Sequence, residues 1–313
     1  MRSAASVRVY TGSAAPPRET LLDQLRGAEG LFCTLTDRID AEVFAVAKKL
    51  MIVANMAVGY DNIDIEEATK RGVMVTNTPG ALTETVADAT MALILAVARR
   101  IPEADSYVRQ GLWKLRWSPM MMVGRDVHGK TLGVYGLGRI GGAVAKRASG
   151  FGMRLLYFDT ARNPDLEKTQ GIEFVPFDRL FSESDFVSIH VPLTPETRRS
   201  VGKREIGLMK SSAYLINTAR GEIVDESALI HALGRNKIAG AALDVLEHEP
   251  IEARSELLGM KNVVLTPHLG SASIETRTRM ALMAARNIVS ALKGEVPPNL
   301  LNRGVLTRPS LAH

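Results

Sequence analysis

Residues 130–159 place the tightest constraint on this 313-residue chain. The stretch reads KTLGVYGLGRIGGAVAKRASGFGMRLLYFD: a short apolar strand, a glycine turn, an amphipathic helix, a second strand and a terminal acid. Gly136, Gly138 and Gly141 fill the three glycine places of G-x-G-x-x-G. The first allows a tight turn, the second lets the backbone approach a pyrophosphate, and the third lets the helix pack closely on the strand. The helix that opens there turns its unpaired N–H groups and the positive end of its dipole toward the phosphates. Asp159 follows Gly141 by 18 residues and ends the second strand, where a carboxylate accepts hydrogen bonds from an adenosine ribose. Glycine-rich turns are common, so the motif alone is weak. Strand, helix, strand and acid in the required order point to a bound dinucleotide, with another adenosine ligand or a structural turn as the alternatives.

A chain of this length is long for one core and suggests two domains. With 46% hydrophobic and 23% charged residues it reads as an ordered globular protein. The net charge of +5 comes with no dense basic run, so nucleic-acid binding is not indicated, while anionic cofactors and substrates are suited. The single cysteine, Cys33, excludes an internal disulfide framework and reads as a small packed residue in a reducing, cytoplasmic setting. No signal peptide is visible. The longest apolar run, 91–98, is too short to span a bilayer and reads as buried helix.

Strands are expected at 7–10, 30–34, 50–55 and 73–76, with helices at 18–26, 40–48 and 65–71 and a loop at 12–17. Alternation at these intervals means a parallel sheet covered on both faces. Residues 82–100 form the longest helical pattern, apolar on most sides, with Thr83 as N-cap and Arg99-Arg100 at the C-terminal end. A helix this apolar must be buried against more than one partner, here by joining two domains and sharing in a subunit interface. The 111–125 segment holds both tryptophans, Trp113 and Trp117, and the run Met120-Met121-Met122. It reads as a packed loop, or else as one facing substrate, and a partner chain is a suitable cover. Further strands are expected at 171–175, 186–191, 214–217, 238–244 and 263–265, and helices at 177–181, 203–209, 226–234 and 273–292. The tail from Gly294 is expected at the surface.

In a doubly wound sheet, ligands collect at the carboxyl ends of the strands. Arg220, Glu249 and His268 each lie just past such an end. Separately, they read as a solvated turn, an exposed loop and a hydrogen-bonded structural histidine. Jointly they make sense beside a nicotinamide. A guanidinium holds a carboxylate with paired donors and polarises a carbonyl. An imidazolium delivers a proton near neutral pH, and a carboxylate beside it orients the ring and favours its charged form. The Val58-Gly59 turn can offer backbone N–H groups to the substrate carboxylate.

On the stretches VGYDNIDIEEATKRGVMVTNTPG, GKTLGVYGLGRIGGAVAKRASGFGM, HVPLTPETR, LINTARGEIVDESAL, AGAALDVLEHEP and NVVLTPHLGSAS, the chain resembles the D-isomer-specific 2-hydroxyacid dehydrogenase family, and most closely its glyoxylate/hydroxypyruvate reductase branch. The resemblance implies an α/β fold of two doubly wound parallel-sheet domains with a cleft between them. A Rossmann-type NAD(P)-binding domain would take 81–270, and a smaller flavodoxin-like substrate domain 1–80 plus 271–313. It implies catalytic Arg220, Glu249 and His268, with His268 as proton donor, and substrate contacts from Val58, Gly59, Arg220 and His268. Cofactor contacts are implied for Gly136, Gly138, Arg139, Ile140, Gly141, Asp159, Thr160, Pro192, Thr197, Thr218, Ala219, Asp244 and Gly270. The expected cofactor is NAD or NADP, with no metal; the expected substrate is a short 2-oxo acid, glyoxylate or hydroxypyruvate. The expected assembly is a homodimer through the cofactor domains.

Three departures stand out. Asp159 occupies a place where many members of the branch carry a small or basic residue, and its charge favours NAD over NADP, although nearby Arg162 can blunt that preference. His248 stands where proline is usual and is expected to face solvent. The first domain looks short by one strand and helix before the 7–10 segment, which would expose a sheet edge. A non-catalytic NAD-sensing corepressor-like module is the alternative in another class, but this chain lacks the long interaction tails it would need. Formate oxidation would be expected to place an amide where Glu249 sits, and a methyltransferase leaves Arg220, Glu249 and His268 unexplained.

Overall fold

The computed structural model describes residues 4–12 and 15–307; Ser13 and Ala14 of the expected 12–17 loop, and the expected tail beyond Thr307, lie outside these. The chain divides into two compact units, Met1–Leu82 with Ser273–His313, and Thr83–Ala272.

The first unit is built on three parallel strands in the order β1 (Gly30–Cys33), β2 (Ile52–Asn55), β3 (Met74–Thr76). Helices α1 (Arg18–Gln24), α2 (Ala41–Val46) and α3 (Ile65–Lys70) alternate with them. Successive strand residues point to opposite faces. Val53 and Val75 therefore pack with Leu25, Val43, Phe44 and Ala68 of α1–α3 and their flanks. Ile52 and Ala54 meet Ala284, Ile288 and Ala291 of the C-terminal helix Ile274–Leu292 on the other side. Asp40 and Asp64 cap α2 and α3 by accepting from backbone N–H groups of the first turn.

Two expectations need correction here. Residues 7–10 form no strand; their alternation finds no strand partner among the described residues, and Val9 is 61% exposed. The tail does not run wholly over the surface either. Leu301 N–H donates to Val75 O at 2.8 Å, and Leu300 bridges Thr76. Asn302 accepts from Val75 N–H at 2.8 Å and donates to Val73 O at 2.8 Å and Thr69 Oγ1 at 3.0 Å. An edge strand presents unpaired polar backbone, and this segment satisfies that of β3.

The second unit contains seven parallel strands: β4 (Thr131–Tyr135), β5 (Arg154–Phe158), β6 (Glu173–Phe174), β7 (Phe186–Ile189), β8 (Tyr214–Asn217), β9 (Gly240–Leu243) and β10 (Val263–Leu265). Their order is β10-β9-β8-β7-β4-β5-β6, so the direction of winding reverses between β4 and β7. Helices α4 (Thr83–Ala98) and α6 (Arg139–Ser149) cover one face, meeting Leu132, Val134, Leu155 and Ile216. Between them, α5 (Ile101–Arg109) continues from α4 through Arg100, whose backbone is left-handed with φ 54°. The chain after β5 forms α7 (Pro164–Gln170). On the opposite face, α8 (Phe177–Glu183), α9 (Lys203–Leu208) and α10 (Glu226–Gly234) meet Leu156, Val187, Leu215 and Ala241.

α5 and α7 are absent from the sequence reading. α4 starts at Thr83 itself, so Thr83 is not a cap, and at 16 residues it is outlasted by the 19-residue C-terminal helix. The 111–125 segment packs only in part: Met121 and Met122 are half-buried and Arg125 N–H donates to Ala98 O at 2.8 Å, but Trp113 is 53%, Trp117 77% and Met120 79% exposed. Cys33 is buried, which pushes its thiol up and leaves it a packing residue. Among the described residues no helix is long and apolar enough to cross a membrane, and no cluster could hold a metal ion.

Candidate active site

The reversal of strand order leaves a crevice beyond the carboxyl ends of β4 and β7, and the glycine turn occupies it. Gly136 follows β4 with φ 96°, and a Cβ there would lie 2.8 Å from Val191 N. A Cβ on Gly141 would stand 2.1 Å from Gly136 O, so only glycine lets α6 start this close to the strand. Beyond Gly138, by contrast, the space is open, and this residue is the N-cap of the 11-residue α6. Exposed Arg139 and half-buried Ile140 open the helix. Closed on two sides and open on the third, with free N–H groups at the opening, this turn fits a pyrophosphate.

Asp159 closes the same turn from β5. One oxygen accepts from Leu137 N–H at 2.8 Å and the other from Thr160 N–H at 2.7 Å. Thr160 Oγ1 also donates to the second oxygen, at 3.3 Å, so the oxygen facing Leu137 keeps the acceptor capacity for a ribose hydroxyl. Past β7, Thr197 Oγ1 donates to Pro192 O at 2.6 Å and fixes the 192–197 loop. His190 sits in the same corner with Ser188 Oγ 2.8 Å from its Nε2; burial pushes its pKa down to about 3.

Arg220 is set by the end of β8. Asn217 Nδ2 donates to Arg220 O at 2.8 Å while its Oδ1 accepts from Ala219 N–H at 3.0 Å, and Thr218 Oγ1 meets Thr90 Oγ1 at 3.0 Å. The next residue, Gly221, backs directly onto the Leu246–Glu247 backbone, where a Cβ would lie 1.9 Å from Leu246 C. That contact seats the arginine turn against the loop carrying Glu249. Glu249 Oε2 lies 2.8 Å from His268 Nδ1, with side chains 36% and 24% exposed. Burial alone would push the Glu249 carboxyl up. The His268 ring, the Leu246 N–H and the Arg220 charge together outweigh it and hold the carboxyl below its ordinary value.

The His268 loop rests on Asp244, which is 2% exposed. One Asp244 oxygen accepts from Thr266 Oγ1 at 2.6 Å and Leu269 N–H at 2.8 Å, the other from Gly270 N–H at 2.8 Å. His268 itself is left-handed, with φ 54°, and donates its N–H to Asp244 O at 2.8 Å. His248 is exposed.

The Val58-Gly59 turn belongs to the first unit. Asn77 Nδ2 donates to Val58 O at 2.8 Å and Asn55 Nδ2 to Gly59 O at 2.9 Å. In a trans peptide the N–H points opposite to the C=O, so the N–H groups of Gly59 and Tyr60 are aimed away from the asparagines. Sequence reasoning missed Asn55, Asn77, Asn217 and Gly221. Three of them share one signal: an asparagine at or just past the end of a strand, a few residues from a turn.

Residues 91–270 match the family described as D-isomer specific 2-hydroxyacid dehydrogenase, NAD binding domain. Over 298 residues the chain is 55% identical to glyoxylate reductase of Korarchaeum cryptofilum, covering 95% of this chain and 90% of that one. A solved protein of Thermus thermophilus is 47% identical, with a TM-score of 0.88 over 92% of this chain and 91% of its own. D-lactate dehydrogenase of Aquifex aeolicus, solved with NAD and lactic acid, is 30% identical, with a TM-score of 0.86 over 96% of this chain and 94% of that one.

Proposed function

Because the chain belongs to the D-isomer specific 2-hydroxyacid dehydrogenase family, NAD(P)-dependent oxidoreductases, we propose that it reduces glyoxylate, or a similarly short 2-oxo acid such as hydroxypyruvate, to the 2-hydroxy acid. The observation that carries this reading is the 2.8 Å contact between Glu249 and His268, with the Arg220 charge acting on the same carboxylate.

A bound reduced nicotinamide supplies the hydride. Arg220 holds the substrate carboxylate in its planar fork and polarises the 2-oxo group. Since Nδ1 of His268 is committed to Glu249, Nε2 carries the proton that the developing alkoxide takes. Glu249 keeps the ring in that orientation and offsets the imidazolium charge. Within the first unit, the Val58-Gly59 turn offers backbone N–H groups that suit a carboxylate. Gly138, Arg139 and Ile140 hold the pyrophosphate, and Asp159 holds the adenosine ribose, its charge opposing a 2′-phosphate; NAD is the preferred cofactor.

The exposed apolar side chains Leu112, Trp113, Leu115, Trp117, Met120 and Val123 form the contact between two copies in a homodimer. Sedimentation at micromolar concentration tests this, and a persistent monomer refutes it.

The function is tested by following NADH absorbance in the presence of glyoxylate, hydroxypyruvate, pyruvate and 3-phosphohydroxypyruvate. Turnover with at least one short 2-oxo acid, faster with NADH than NADPH, is the expected result. No turnover with any of them overturns the proposal.

A further inference from the structure

The acid after β5 is only part of what a 2′-phosphate would meet. Arg162 lies three residues beyond Asp159. A guanidinium close to this acid position is how dinucleotide folds accommodate the phosphate of NADP. In this chain that guanidinium is already committed. Its Nη2 and Nε donate to the two oxygens of Glu167 at 2.5 and 3.1 Å, and its central carbon sits 5.7 Å from the centre of the Phe174 ring.

Glu167, in α7, is itself fixed from behind. Tyr157 Oη donates to Glu167 Oε1 at 2.5 Å and accepts from Asn163 N–H at 2.8 Å. Tyr157 is fully buried in β5, so the carboxylate is anchored to the sheet rather than to solvent. Exposed ion pairs are usually weak because two long side chains must be ordered together. Here the acid is ordered beforehand, its side chain 17% exposed against 63% for Arg162, and the guanidinium lies on an aromatic face. The hydrogen bonds from Arg162 and Tyr157 also hold the Glu167 carboxyl below its ordinary value, so the clamp is charged throughout the neutral range.

Building on the dinucleotide reading above, we propose that Glu167 is a positioning residue for cofactor selectivity: by clamping Arg162 beside Phe174 it withholds that guanidinium from a 2′-phosphate and reinforces Asp159 in excluding NADP. The clamp has no part in binding the remainder of the cofactor.

Calorimetric titration of the purified chain with ADP and with 2′,5′-ADP reads the phosphate contribution directly. Glu167→Gln is expected to tighten 2′,5′-ADP roughly fivefold and leave ADP unchanged. Arg162→Ala alone is expected to change neither ligand, and placed on Glu167→Gln it cancels the gain. The KM for NADPH falls in parallel, while that for NADH does not. Should Glu167→Gln fold poorly, Tyr157→Phe removes the anchor instead and is expected to move 2′,5′-ADP in the same direction by about twofold. An unchanged ratio of the two affinities in both variants, or a loss of 2′,5′-ADP binding from Arg162→Ala alone, overturns the role of Glu167. Failure of the unaltered protein to bind ADP at all removes the dinucleotide reading and this proposal with it.

Discussion

The two units pin the loops beyond their strands with a different balance of amides and carboxylates. In the first, neutral amides predominate: Asn55 and Asn77 donate to loop carbonyls, and Asn62 donates to Thr34 O and Asp37 O, while one carboxylate, Asp37, accepts from Thr34 N–H at 2.7 Å. In the second, carboxylates predominate: Asp159 accepts from Leu137 and Thr160 N–H groups and Asp244 from those of Leu269 and Gly270, with the Asn217 amide holding the Arg220 turn. An amide donates and accepts without net charge, whereas a carboxylate only accepts and brings its charge along. The Val58-Gly59 turn of the first unit is therefore held on an uncharged support. The second gathers Asp159, Arg220, Asp244, Glu249 and His268 at its strand ends. The described part of the first unit contains no histidine at all. Of the ionisable groups gathered beyond strand ends, most stand in the second unit, while the first supports its Val58-Gly59 turn with amides.

The largest test of that contrast is Arg220→Ala. If the charged rim serves reaction rather than folding, kcat/KM falls about a thousandfold or more while the melting temperature stays put. A large drop in melting temperature with modest loss of activity would reverse the assignment. Next is Gly141→Ala, whose Cβ would press to 2.1 Å from Gly136 O. It is expected to cost about 3 kcal/mol and to weaken ADP binding at least tenfold by calorimetry, because turn and helix start must separate. On the uncharged side, Asn302→Ala strips three hydrogen bonds and orphans Val75 N–H. A loss of about 2 kcal/mol is expected, read as faster amide exchange in β3, with ADP affinity unchanged.

The most gradual effect is one of pH, spread over several units. Burial pushes His190 down to about 3, from an ordinary value of 6.5. Below about pH 6.5 the unfolded chain binds a proton there that the folded chain refuses until about pH 3. Unit two therefore loses stability as pH falls through that window, by at most about 1.4 kcal/mol per pH unit, and gains nothing above it. His190→Asn is expected to flatten the dependence in urea melts. Among its described residues the first unit has no corresponding group: its Asp40 carboxyl, which burial pushes up, is brought below its ordinary 3.8 by Arg18 and the Val43 N–H, so that contribution is lost only under stronger acid. Equal slopes for the two units between pH 6.5 and 4 would contradict the contrast.

Much of this was legible in the sequence, and the exceptions have physical reasons. Strands of the second sheet are buried on both faces and read as continuous apolar runs, such as Phe186–Ile189, so their ends could be located and Arg220, Glu249 and His268 found beyond them. α5 and α7 are short, at nine and seven residues, and bury no residue fully, so neither stands out as a core-facing helix. Residues 7–10 show that alternation is not enough without a neighbouring strand. The seat of Leu301 and Asn302 on β3, and the clamp of Glu167 on Arg162, are made by side chains and backbone meeting across the fold; neither leaves a period or a motif.

The left-handed backbone at His268 has a consequence of its own. Most L-residues resist that conformation, whereas asparagine and glycine accept it readily. Replacing the imidazole with asparagine is thus expected to relax the main chain while removing the proposed acid, leaving a silenced protein as durable as its parent, or slightly more so. Such a variant would hold both reactants without consuming them, a route to trapping the loaded state for crystallography.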